Sequence, residues 1–182
     1  EQARGANHPD TATALNNLAQ LYRQQGQADK AEPLYKRALA IRVKALGSAH
    51  PDVAISVANL AALYAGASKP AEAAAMYQRL LVLREKSLGL NHADVATTAV
   101  SLATQEAALG RLAQAGALLK RAVLIRQQTL GREHNDVAST LQQLGGVMVA
   151  AKQPANALPL YQRALAIREK NQEPGHPDIA TA

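Results

Sequence analysis

Five histidine-x-aspartate steps punctuate the chain, at His8-Pro9-Asp10, His50-Pro51-Asp52, His92-Ala93-Asp94, His134-Asn135-Asp136 and His176-Pro177-Asp178. Imidazole and carboxylate groups at fixed spacing are the donors from which a metal site is built. The period argues against one here. Successive histidines stand 42 residues apart, so each step is the same point of a repeated unit. Equivalent points of stacked helical units lie at least one helix-packing distance apart, about 8–10 Å. Ligands about 2 Å from one ion cannot be spread that far. The steps read instead as helix entries, with proline at the first helical position where its missing N–H is no loss and aspartate near the positive end of the helix dipole. No metal and no cofactor is expected.

A second recurring set could bind phosphate: Arg37, Arg79, Arg121 and Arg163, each followed five residues later by Arg42, Arg84, Arg126 and Arg168. With a net charge of +6 and a pI near 9.8, a nucleic-acid track on the arginine ladders is one reading. Two features disfavour it. All five tyrosines, the only aromatic residues, fall in apolar columns that read as core, leaving none to stack bases. Acidic residues such as Glu32, Glu72, Glu85 and Glu169 interleave with the arginines, which reads as a solvated, salt-bridged outer face. Glu106 is the remaining oddity, since it occupies the column of Tyr22, Tyr64 and Met148. It is expected to be a rim residue of a weakened third repeat rather than a buried acid needing a partner. No serine, histidine and acid set converges, and the chain is read as having no catalytic residues and as no enzyme.

The elements that position these residues follow from the apolar pattern. Leu15, Leu18, Ala19 and Tyr22 recur at spacings of three and four until Gly26, and Ala31, Leu34, Tyr35, Ala38, Leu39 and Ile41 repeat the pattern up to Leu46 and Gly47. The spacing predicts helices near 9 to 25 and 28 to 46, folded back on each other by the short turn at Gly26-Gln27. The columns recur: Leu18, Leu60, Leu102 and Leu144, then Ala19, Ala61, Ala103 and Gly145; Ala31, Ala73, Ala115 and Ala157, then Tyr35, Tyr77, Leu119 and Tyr161. Small residues let helix backbones approach and large ones fill the gaps between them.

With these columns, Leu-Asn-Asn-Leu-Ala at 15 to 19 and Glu-Pro-Leu-Tyr-Lys-Arg-Ala-Leu at 32 to 39, the chain resembles the tetratricopeptide repeat family, in its longer 42-residue, kinesin-light-chain-like form. The resemblance implies an all-α, right-handed α-solenoid of helix-turn-helix hairpins. The expected units are residues 1–7 as the tail of a preceding repeat, repeats at 8–49, 50–91, 92–133 and 134–175, and 176–182 as the start of a fifth, so the chain is expected to be a piece of a longer array. The first helices would line a concave groove. By resemblance, the peptide-binding positions are Thr13, Asn16, Asn17, Gln20, Arg23, Gln24, Asn59, Ala62, Ser101, Thr104, Gln142 and Gln143. Their amides and hydroxyls can both donate and accept, as the backbone of an extended peptide requires. Small residues such as Ala58, Ala65, Val100 and Gly146 would leave room for apolar side chains of a partner.

Composition sets the frame. Hydrophobic residues make up 48% of 182, enough for a continuous core, and no apolar run is long enough to span a bilayer. There is no cysteine, which removes disulfides and thiolate chemistry and suits a reducing, cytoplasmic setting. The function expected is a non-catalytic scaffold that binds a protein, or an extended or helical peptide, in the groove. A structural spacer or oligomerisation module, self-associating through its repeat ends, is the alternative, and nucleic-acid binding ranks third.

Overall fold

The computed structural model describes residues 8–172; residues 1–7 and the 176–182 opening of a fifth repeat lie outside them. Eight helices follow one another among the described residues: α1 (Pro9–Gln24), α2 (Ala28–Leu46), α3 (Pro51–Gly66), α4 (Pro70–Leu88), α5 (Ala93–Ala108), α6 (Leu112–Leu130), α7 (Asn135–Ala150) and α8 (Pro154–Asn171). There is no strand among the described residues. Helices α1, α3, α5 and α7 start 42 residues apart, as the histidines do. The fold is an all-α array of helical hairpins.

Each first helix begins in the same way. His8, His50, His92 and His134 are N-caps in extended backbone, and the Nδ1 of each accepts the backbone N–H two residues on, at 3.1–3.2 Å. The imidazole therefore does what a serine or aspartate side chain usually does, satisfying one of the orphan donors of the first turn.

Each first helix also ends in the same way. The N–H of Gln27, Lys69, Arg111 and Gln153 reaches back five residues to the carbonyl of Tyr22, Tyr64, Glu106 and Met148, at 2.8–2.9 Å. This is a Schellman closure, whose penultimate residue must turn left-handed. Gly26 and Gly110 do so at φ 73° and 75°, while Ser68 and Lys152 are held there at φ 55° and 58°.

The helices group into two compact units, Glu1–Gly89 and Leu90–Ala182. In the first, α2 packs between α1 and α3, and α4 closes on α3. Ala19, Ala31, Tyr35, Leu60, Leu63, Tyr64 and Ala73 form its main core cluster. In the second, α6 packs between α5 and α7, and α8 closes on α7. Ala103, Ala115, Leu119, Leu144 and Val147 make one cluster, and Val123, Val137, Ala138, Leu141, Ala164 and Ile167 another. Each fully buried large side chain contributes about 1.5–3 kcal/mol.

Two of the expected core columns are incomplete. Leu60, Leu102 and Leu144 are buried, but Leu18 is 42% exposed, because no described helix packs on that face of α1. Tyr35 and Tyr64 are buried, whereas Tyr22 and Tyr77 are half-buried and Tyr161 is 38% exposed. The expectation that every tyrosine is core is thereby corrected. Tyr161 packs its ring against Gly145 of α7, where an added Cβ would lie 2.8 Å from ring carbons, and is left partly exposed because no described helix covers the rest of its side chain.

Candidate interaction surface

The first arginine joint shows how the helices are registered. Arg42, near the end of α2, is 6% exposed and donates from Nη1 to Ser56 Oγ at 2.8 Å and to the Asp52 carbonyl at 3.2 Å. Its Nη2 donates to Thr13 Oγ1 at 3.2 Å. One guanidinium thus ties three helices of the first unit. In the second unit Arg126 Nη1 donates to Thr140 Oγ1 at 2.7 Å and to the Asp136 carbonyl at 3.0 Å. Arg42 and Arg126, two of the eight arginines of the supposed outer ladder, are therefore bound into the joints rather than to solvent. The five-residue step from Arg37 to Arg42 turns the second arginine toward the next hairpin, where its five donors suit the hydroxyl and carbonyl that wait there.

Glu32 is a second joint. It pairs with Lys36 at 2.7 Å and with Lys69 at 3.2 Å, and accepts the Tyr64 hydroxyl at 3.0 Å. The Lys36 ammonium first, then Lys69 and Tyr64, hold its carboxyl at about 2, against the partial opposition of burial. Lys69 also lies 5.7 Å from the centre of the Tyr64 ring, the cation–π distance. Glu106 occupies the Tyr64 position one repeat on. Its side chain is only 12% exposed and pairs with Arg111 at 3.1 Å, so it is a largely buried acid with a partner, not a rim residue reaching water. The Schellman turn explains the pairing, because it brings the side chains at these two positions together.

The expected groove residues fall as follows. On α1, Asn17, Gln20, Arg23 and Gln24 are exposed. Thr13 is exposed, with its hydroxyl donating to the Pro9 carbonyl as well as accepting from Arg42. Asn16 is buried and its Oδ1 accepts from Asn59 Nδ2 at 2.8 Å, joining α1 to α3. Ala62, three residues after Asn59 on α3, is half-buried. Burial pushes the Tyr35 phenol up while the neighbouring Arg23 guanidinium opposes the shift. In the second unit Ser101 and Thr104 turn their hydroxyls back to the Thr97 and Val100 carbonyls. Gln142 accepts from Arg168 Nη2 at 2.7 Å, and Gln143 is exposed.

One hollow adjoins these positions. A cleft of about 290 Å³ opens between α5 and α7, with Leu112 and Leu119 beneath it, Ala103, Ala107, Gly146, Val147 and Ala150 as its walls, and Thr104 and Gln143 as its polar members. A larger hollow of about 590 Å³ opens between α6, α7 and α8 and includes Lys120, Gln153 and Asn156. The first cleft is the better apolar receptacle, since its two polar side chains leave the walls to methyl and methylene groups. Neither hollow was legible as a cavity in the sequence, although the small residue Gly146 was its signal.

No group of three or more histidine, aspartate or glutamate side chains among the described residues could hold a metal ion. Among those residues no helix is long and apolar enough to cross a membrane.

These hairpins define a class, and comparison with known proteins agrees with it. The model of the tetratricopeptide repeat matches residues 1–42, 10–86 and 94–170. The chain belongs to the tetratricopeptide repeat family. Among solved structures it is similar to BtubC (BKLC) from P. vanneervenii, at 28% identity over 93% of this chain and 68% of that one, with a TM-score of 0.81. A protein of Podosopora anserina, described as a kinesin light chain with nearly identical TPR-like repeats, is 29% identical over 93% of this chain and 81% of that one, with a TM-score of 0.79. MamA shares the fold, at 16% identity and a TM-score of 0.68 over 91% of this chain and 83% of that one. No curated protein matches the sequence. Repeats of this family are in general protein-interaction scaffolds without catalytic activity.

Proposed function

We propose that this chain is a non-catalytic peptide-binding scaffold whose ligand lies on the first-helix face of its repeats, taken as residues 8–49, 50–91, 92–133 and 134–175. The observation that carries the reading is the apolar cleft between α5 and α7, because it lies among the expected lining positions and has Thr104 and Gln143 beside it. An apolar side chain of the ligand enters the cleft, and Gln143, exposed in the structure, is available to its backbone. On the first unit, Asn17, Gln20, Arg23 and Gln24 offer a polar face. Asn16 and Asn59 already share a hydrogen bond there, so they hold α1 and α3 in place beneath a ligand more than they contact it. The nucleic-acid reading loses support because Arg42 is buried among protein acceptors and has no phosphate-facing surface.

The test is a fluorescence screen of a peptide library against the full chain, repeated with Gly146→Leu. A leucine there fills the cleft from a position where the nearest atom to an added Cβ is the Tyr161 hydroxyl oxygen at 3.8 Å, so the helix tolerates it. Peptides that bind wild type should lose at least tenfold in affinity to Gly146→Leu and keep it in Lys44→Ala/Lys86→Ala, which alters only exposed second-helix lysines. Equal binding by Gly146→Leu rejects the cleft as the site.

A further inference from the structure

The hollow of about 590 Å³ between α6, α7 and α8 repeats, two units of the sequence period later, a place that the first unit occupies with its own side chains. There the Glu32 carboxylate lies among Lys36, Lys69 and the Tyr64 hydroxyl, at 2.7, 3.2 and 3.0 Å. The second unit keeps one member of that set. Lys120 stands where Lys36 does, but Gly116 replaces Glu32, Met148 replaces Tyr64 and Gln153 replaces Lys69. All four line the hollow, so the void stands where the first unit places a carboxylate and a phenol. Lys120 is exposed and forms no ion pair among the described residues. Gln153 accepts through Oε1 from Asn156 at 3.2 Å, which leaves its own N–H groups to donate. Leu112, Leu144, Met148 and Leu160 make the walls apolar.

We propose that this hollow binds a small amphipathic carboxylate, with its charged end on Lys120 and Gln153 and its hydrocarbon body against Leu112, Leu144, Met148 and Leu160. Charge complementarity selects the anion. In the first unit the same arrangement holds the Glu32 carboxyl at about 2, chiefly through Lys36, the residue that Lys120 repeats. Size selects a free small molecule over a peptide side chain. The volume of about 590 Å³ falls within the range of about 300–1,000 Å³ typical of small-molecule pockets, whereas a glutamate reaching in from a partner leaves most of it empty. The Met148 thioether, whose Cε would lie 3.1 Å from a Cβ added at Gly116, is an unbranched wall that adjusts to the shape of a hydrocarbon chain. The site shares only Leu112 with the α5–α7 cleft, so it is independent of the peptide-binding reading.

Octanoate is the probe, titrated into the full chain with its methionine methyl groups isotope-labelled for NMR. The chain has two methionines: Met148 lines the hollow, and Met76, packed against the first unit's core, is the internal reference. Octanoate should shift the Met148 signal saturably and leave that of Met76 in place. From acetate through butanoate to octanoate, affinity should rise about fourfold for each methylene that is buried. Octanol, of the same length without the charge, should bind about tenfold more weakly. Lys120→Gln, at an exposed position, should cost octanoate about tenfold and octanol nothing. Gly116→Glu supplies the first unit's carboxylate from the chain itself, where the flexible tip of Met148 is the atom that must give way, and should abolish octanoate binding. Circular dichroism checks that both variants stay helical; should Gly116→Glu lose its helices, Lys120→Gln still decides. A Met148 signal that octanoate leaves unmoved overturns the proposal, and so does undiminished binding by Lys120→Gln. Equal affinities for octanoate and octanol overturn it by making the hollow a plain apolar cavity. Equal affinities for octanoate and acetate overturn it by leaving an ion on a surface lysine, and equal affinities for octanoate and N-acetylglutamate amide by making the occupant a peptide side chain.

Discussion

Arg42 on α2 and Ser56 on α3 are joined by a 2.8 Å hydrogen bond that is buried from solvent, and Arg126 and Thr140 repeat it at 2.7 Å in the second unit. The hydroxyl serves twice, since Ser56 donates onward to the Asp52 carbonyl at 3.2 Å and Thr140 to that of Asp136. The joint between hairpins is thus a polar clasp laid across an apolar seam. A buried guanidinium is tolerated only because protein acceptors replace its water.

Arg42→Met should destabilise the first unit by about 1.5–3 kcal/mol, the range for hydrogen bonds to a charged group. Arg42→Lys should recover less than half of that loss, since a single ammonium cannot span Ser56 and Thr13 as the planar fork does. Urea unfolding of the three proteins measures both values. A lysine variant as stable as wild type would show that charge, not fork geometry, holds the joint.

Glu32 makes acid stability a local matter. Its folded carboxyl is held at about 2, below the ordinary 4.5. The stabilisation is therefore present in full above the ordinary value and is lost as pH falls from there through about 2. Glu32→Gln removes this dependence, so its stability should decline less steeply than that of wild type across the same window. Parallel acid limbs in denaturant melts at stepped pH would place the acid sensitivity elsewhere.

The left-handed residues offer stabilising changes. Ser68→Gly and Lys152→Gly relieve the side-chain clash of φ 55° and 58°, and each should add about 0.5–1 kcal/mol after the greater freedom of glycine in the unfolded chain is set against it. Gly26→Ala, at φ 73°, should lose a comparable amount. Thermal melts decide the matter, and a destabilised Ser68→Gly would mean that the serine side chain makes a compensating bond.

Glu106 and Arg111 should respond unequally to truncation. Arg111→Ala leaves a carboxylate that is 12% exposed without its cation, and is expected to cost more than Glu106→Met, which puts an apolar side chain in the column that holds Met148 in the next repeat. A double-mutant cycle measured by urea melts reads the coupling. Equal losses from the two single changes would make the pair an ordinary surface contact.

Much of the fold was legible because its signals are local and repeated. The His-Pro-Asp entry at 8 to 10 and the stripe from Leu15 to Tyr22 mark α1 to within a residue of its end at Gln24. What was not legible depends on neighbours beyond the helix that carries it. Arg42 looked like the partner of Arg37 on one outer face, and only its bonds to another hairpin reveal its direction; the hydroxyl column of Ser56, Thr98 and Thr140, fourteen residues on, was the available sign. Leu18 and Tyr161 belong to core columns and are nevertheless exposed, because burial of a repeat position is decided by the adjoining unit. The Asn16–Asn59 bond likewise crosses 43 positions of sequence, so two residues that each read as ligand contacts bond to each other.

The arginine clasp also constrains how such an array can be lengthened by a genetic event. Donor and acceptor lie on opposite sides of the joint within each unit, at Arg42 and Ser56 in the first and at Arg126 and Thr140 in the second. A tandem copying that inserts 42 residues restores donor opposite acceptor wherever its breakpoints fall, even in mid-helix. An insertion within a hairpin that is not a whole number of repeats sets the guanidinium off its hydroxyl. The spacing of the histidines is thus also the step size in which the gene can grow.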